Sequence, residues 1–146
     1  MILDKLDKLS ADQALTATAI SANVIDLGAA NSGIVDGVPL ELVVIVKTAA
    51  DATTGDETYA FSADTSAVVG LTTPTVLGAR SIARAALTAG SKHLIPLAQG
   101  VAMLRYLGVN FTLGGTTPSI TVDAYIQPVV MAGDVPAHYA SGSTIL

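Results

Sequence analysis

Along most of the chain, apolar and polar residues alternate with a period of two, the spacing at which successive side chains leave opposite faces of a β-strand. In Ser119–Gln127, Ile120, Val122, Ala124 and Ile126 are apolar and alternate with Ser119, Thr121, Asp123 and Gln127, which predicts a half-buried strand. Arg105–Leu113 repeats the pattern, with Leu107, Val109, Phe111 and Leu113 opposite Tyr106, Gly108, Asn110 and Thr112. Glu57–Ala63 places Tyr59 and Phe61 on one face, and Gln13–Ile20 sets Leu15, Ala17 and Ala19 against Thr16 and Thr18. Asn23–Leu27 and Lys92–Leu97 are shorter runs of the same kind.

Pro39–Thr48 departs from the rule. Leu40, Leu42, Val44 and Val46 line one face, but Val43 and Ile45 make the second face apolar too. Such a strand is buried on both sides. The cover is either another layer of the same chain or a second subunit, and Val43 and Ile45 are the candidate oligomer contact.

Turn signals separate these runs: Asn31-Ser32-Gly33, Asp36-Gly37, Thr54-Gly55-Asp56, Gly90-Ser91 and Gly114–Pro118. Seven or eight short strands with turns between them read as a sandwich or barrel. No linker or fixed repeat divides the chain, so residues 13–127 form one β domain. Residues 79–89 carry two readings. Arg80–Leu87 is Ala-rich, with the four-residue spacing of a helix and Gly90 as a C-cap, whereas the all-β surroundings favour a strand. Residues 128–146 contain Pro128, Gly133, Pro136 and Gly142, which resist helix and sheet alike. That stretch and residues 1–12 are expected to be extended arms, making contact through Ile2, Leu3, Leu6 and Tyr139.

Composition narrows the function. The 146 residues are 51% hydrophobic and 13% charged, with net charge −5 and no cysteine. High hydrophobicity with modest charge excludes disorder. The absence of cysteine excludes disulfide scaffolds, thiolate metal sites and thiol nucleophiles. A net-acidic chain argues against a nucleic-acid partner. Leu42–Val46, the most continuous apolar run, is far short of a membrane span, and the acids within Met1–Leu9 argue against a signal peptide. The expectation is a cytoplasmically made protein that buries part of its apolar surface between copies of itself.

Candidate chemistry is sparse. There is no nucleophile elbow, phosphate-binding loop or dinucleotide fingerprint. His93 and His138 have no carboxylate at ligand spacing, so neither is expected to hold a metal. Asp51–Glu57 lacks the alternating ligand order of a calcium loop and reads as a solvated hairpin loop. Asn110-Phe111-Thr112 matches a glycosylation acceptor but falls within a strand. No catalytic residue, cofactor or metal is expected, and the protein is not expected to be an enzyme.

Charge is segregated along the chain. Residues 65–122 hold no acid and four bases, Arg80, Arg84, Lys92 and Arg105, while residues 1–64 hold ten acids and three bases. Either strands from the two regions interleave and neutralise one another, or Arg80, Arg84 and Arg105 form a basic surface for an acidic partner.

Several stretches together resemble the small capsid cement, or decoration, proteins of tailed bacteriophages. They are Met1–Asp4, Ser10–Ala14, Asn23–Gly28, Phe61–Ser66, Thr73–Leu77, Leu87–Lys92 with Ile95-Pro96-Leu97, Arg105–Thr112 and Tyr139–Gly142. The likeness spans nearly the whole chain in order, although Asp7-Lys8-Leu9 is more charged and Arg80–Ala86 more helical than the family pattern. It implies an all-β, jelly-roll-like antiparallel sandwich with terminal arms. It also implies a multimer on the outside of an icosahedral shell, bridging neighbouring major capsid proteins. A homo-oligomer, dimer or trimer, is expected, and the charge pattern makes Arg80, Arg84 and Arg105 the candidate capsid contacts. The competing expectation is a carbohydrate- or receptor-binding jelly roll of a virion, a function that usually calls for more exposed aromatics than four Tyr, two Phe and no Trp.

Overall fold

A computed structural model of the chain describes residues 8–28 and 39–129. The strands are β1 (Lys8–Leu15), β2 (Ala19–Ile20), β3 (Ile25–Asp26), β4 (Leu40–Thr48), β5 (Thr58–Ser66), β6 (Thr75–Ile82), β7 (Lys92–Pro96), β8 (Tyr106–Gly114) and β9 (Ile120–Pro128). They form two antiparallel sheets, one ordered β1-β9-β4-β7 and the other β2-β8-β5-β6, with β3 also paired to β8. Both β2 and β3 lie against β8, where Ala19 faces Phe111 and Ile25 faces Leu107. Taken as one interrupted strand, they complete a nested set of pairs: β1 with β9, β2–β3 with β8, β4 with β7, and β5 with β6. A long hairpin rolled up in this way is a jelly roll.

The inner faces supply the core expected from the alternation. Leu42, Val44 and Val46 of β4 and Val122 and Ala124 of β9 face Phe61 and Ala63 of β5 and Leu107, Val109 and Phe111 of β8, all at 0% exposure. Phe61 and Phe111 are direct cross-strand partners whose rings meet edge to face, 5.9 Å apart and 82° inclined. This arrangement is among the preferred geometries for aromatic pairs. The two sheets close against each other where β6 passes β7. A Cβ on Gly78 would collide with the carbonyl of Pro96, so only a residue without a side chain fits here unless the backbone shifts.

Several expectations need correction. Residues 8–12, assigned to an arm, belong to β1, whose register with β9 shifts twice and whose Asp12 adopts a φ of 46°. The bulged geometry obscures the alternation that would mark this segment as a strand. Strand β9 is not half-buried, because Tyr125 and Gln127 on its second face are 3% exposed. In residues 79–89, pairing with β5 carries the strand through Ile82, and only Arg84–Ala86 forms a single 3-10 turn. Partnership with Phe61, Tyr59 and their neighbours overrides the Ala-rich local preference. Ile2, Leu3, Leu6, His138 and Tyr139 lie outside the described residues, as do 29–38 and the rest of the stretch beyond 129.

Candidate interaction surface

The sandwich has two ends of contrasting chemistry. At one end, the connections β4–β5, β6–β7 and β8–β9 form a polar cluster tied to itself. Tyr59 donates its hydroxyl toward the carbonyls of Asp51, at 2.9 Å, and Ser119, at 3.2 Å. Burial raises the Tyr59 phenol above its ordinary pKa. Asp56 accepts hydrogen bonds from the Thr116 backbone N–H and hydroxyl, at 3.1 and 2.9 Å. Glu57 accepts from the backbone N–H groups of Thr54 and Gly55, at 2.9 and 3.0 Å.

The pKa of Asp56 is lowered first by the Thr116 N–H, and that of Glu57 first by the Thr54 hydroxyl. Arg84 donates to the Gly55 carbonyl and lies 3.8 Å from the Glu57 carboxylate. The loop read from sequence as solvated is therefore organised around a buried Glu57, which is 4% exposed.

The same groups account for the groove at this end. It encloses about 400 Å³ between the start of β5 and the end of β6 and is lined by residues that include Glu57, Tyr59, Ser81 and Arg84. Its acid and base already face each other, so it presents no free pair to a substrate. No group of three or more metal-ligating side chains occurs among the described residues. His93 lies in β7 with its Nε2 3.1 Å from the Ser91 hydroxyl. No helix among the described residues is long and apolar enough to cross a membrane.

At the other end lie the start of β4, the β5–β6 and β7–β8 connections, the segment after β3, and the exit from β9. Arg105 grips Asp26 with Nε and Nη2, each 2.9 Å from a carboxylate oxygen, while its guanidinium lies 5.0 Å from the Tyr106 ring centroid. Arg105 and the Gly28 N–H together lower the Asp26 pKa to about 2. Nearby, the β5–β6 loop folds back on itself. The Ser66 hydroxyl donates to the Thr72 carbonyl at 2.8 Å, and the Leu71 N–H donates to the Val68 carbonyl at 3.0 Å. Leu71, 5% exposed, packs over Gly108 in the space a side chain there would need.

The three arginines are thus not one patch. Arg84 stands at the first end and Arg105 at the second, each engaged with a carboxylate of its own chain. Arg80 lies between them on the edge strand β6, opposite Phe61, and makes no ion pair among the described residues. Arg84–Glu57 and Arg105–Asp26 each join the acid-free stretch to the acidic first half of the chain. Interleaving therefore accounts for these two arginines.

The oligomer candidates also separate. Val43, opposite Tyr125, is 0% exposed within the single chain and has no surface left for a second copy, whereas Ile45 stays half-buried on that face. The large exposed hydrophobics among the described residues are Val68, Val69, Val76 and Val129, at 51, 58, 52 and 38%. Sequence reasoning passed over them because the first three lie outside any clean alternation. The available signal was a Val-Val pair beside Gly70 in a stretch with no charged residue from 65 to 79.

No curated protein matches the chain. The model of one protein family, Bbp16, matches residues 9–126, which is most of the chain and the whole of the sandwich apart from its outermost residues.

Proposed function

The chain belongs to the Bbp16 family, whose name marks it as phage-related, and from that premise we propose that it is a structural protein of the virion, a capsid cement. In this reading it binds the outside of an icosahedral phage shell and bridges neighbouring major capsid proteins. It acts as a homo-oligomer and takes part in no catalysis.

The observation that carries the proposal is the family match over the same residues that build the jelly roll, joined to the ordered resemblance to phage cement proteins. The physical character of the molecule supports it. A cement needs a stiff scaffold, and here both ends of the sandwich are cross-tied by long-range bonds such as Arg105–Asp26 and Asp56–Thr116. It has no need of a pocket, and the charged groups at the groove are spent on each other. Repeated modest contacts on a lattice act at high effective concentration, so no single extensive site is required.

The test is to mix the purified chain with empty shells of the phage that encodes it, and separately with a glycan array. Saturable binding to shells with no glycan bound is the expected result. Glycan capture without shell binding would place the chain among receptor-binding jelly rolls instead.

A further inference from the structure

The large exposed hydrophobics of the described residues are all at one end of the sandwich. Val68 and Val69 form the tip of the β5–β6 loop, Val76 is the second residue of β6, and Val129 follows β9, which runs to the same end. The opposite end is polar, with Asp56, Glu57, Arg84 and Thr116 bonded among themselves.

We propose that the Val68–Val69 tip is a rigid apolar knob that seats in an uncharged, apolar pocket of the shell protein, so that this end of the jelly roll faces the shell. The inference rests on the capsid-cement reading and names the contact through which it operates.

Three features argue for a built contact rather than stray exposure. First, the loop is held in one shape at a backbone cost. Leu71 and Thr73 have φ values of 50° and 48°, a region that bulky and β-branched residues rarely occupy. Strain of this kind persists only where surrounding structure enforces it, and it concentrates at functional sites. Here the enforcement is visible: Leu71 is seated over Gly108, and the Ser66 hydroxyl bonds the Thr72 carbonyl while accepting the Val68 N–H at 3.1 Å. A knob fixed in this way loses little freedom when it docks.

Second, the tip is electrically neutral. Residues 65–79 carry no charge, and Arg105, which stands at the same end, is paired with Asp26. An acidic or basic partner surface would leave its own charges unpaired against the valines, which disfavours such a match.

Third, the patch is too small to hold two copies of this chain together. A few half-exposed valines offer far less than the ~800 Å² per partner that a stable pair buries. A contact of this size is useful where many act at once on a lattice. Ile45 lies on the outer face of the β4 sheet, away from the tip, so self-association through it leaves the knob free.

The test uses the full chain and empty shells, with Val69→Asp as the probe and Ala52→Asp as a charge-matched control at the polar end, where Ala52 is exposed. The expected result is at least a tenfold rise in the concentration needed to half-saturate shells for Val69→Asp, with unchanged melting temperature and oligomeric state. Ala52→Asp should bind as the parent does, and raising salt from 50 to 500 mM should change parent binding less than twofold. Should Val69→Asp fail to fold, Val69→Ser must show the same loss in smaller degree. Parental binding by the folded tip variant, a loss confined to Ala52→Asp, or a steep fall of parent binding with salt would overturn the knob. If the parent chain fails to bind shells at all, the cement reading itself falls.

Discussion

Arg105 and Asp26, 79 residues apart in the chain, face each other fork to carboxylate with both hydrogen bonds at 2.9 Å. The pair straps the end of β3 to the residue before β8, and the Leu27 N–H continues the attachment by donating to the Arg105 carbonyl at 2.8 Å. Arg105→Ala should return the Asp26 carboxyl from about 2 toward its ordinary 3.8, read by carbon-detected NMR titration. A depressed carboxylate contributes stability above its unfolded pKa and loses it as pH falls through the folded value. The strap should therefore weaken between about pH 4 and pH 2, and the variant should lack that phase.

Asp64 has the opposite sign. It is 1% exposed on β5, and its Oδ1 has no hydrogen-bond partner. Desolvation is the largest influence and raises its pKa, while the Ser62 and Asn110 side chains pull it down. The folded state holds this proton more tightly than the unfolded state does, so Asp64 costs stability as pH rises above the unfolded value. Asp64→Asn should melt higher than the parent at pH 7, and the gap should close as pH approaches 3. Calorimetric melting across that range checks both parts.

Val43 and Ile45, two residues apart on one face, should respond differently to the same change. Val43→Asp places an unpaired charge in a fully buried position and should abolish cooperative unfolding in circular dichroism. Ile45→Asp should leave the chain folded and shift sedimentation toward the monomer.

Gly78 tests the junction of the sheets. Gly78→Ala drives a methyl group into the Pro96 carbonyl and should cost about 1–3 kcal/mol, the usual range for overpacking. Phe61→Ala should cost more, about 3–5 kcal/mol, because it empties the centre of the core and removes the edge-to-face partner of Phe111. Urea titrations of the two variants give the comparison.

The inner face of the sandwich was readable because a period of two survives wherever one sheet face meets the core. Leu107, Val109 and Phe111, or Val122 and Ala124, could be assigned from spacing alone. Segments whose geometry breaks the period were harder to read. The bulged first half of β1, residues 8–12, reads as an arm, and residues 79–82 at the end of β6 read equally as helix or strand. Pairing the strands required contacts between distant residues, which one sequence does not reveal.

The candidate surface was less legible still. Grouping Arg80, Arg84 and Arg105 by charge could not anticipate that Glu57 and Asp26 would claim two of them. An Arg84→Glu change would set a second carboxylate against the buried Glu57 and lower stability. The valines of the β5–β6 tip stand out only once the fold shows that Leu71 is buried while Val68 and Val69 are not.

Cryo-electron microscopy of the virion of the phage that encodes the chain tests the central claim most directly. The account predicts jelly-roll density on the outer surface of the shell, repeated where neighbouring major capsid proteins meet, with the β5–β6 tip turned toward the shell. A shell surface bare of that density, or the same fold found only on the tail or its fibres, would contradict it.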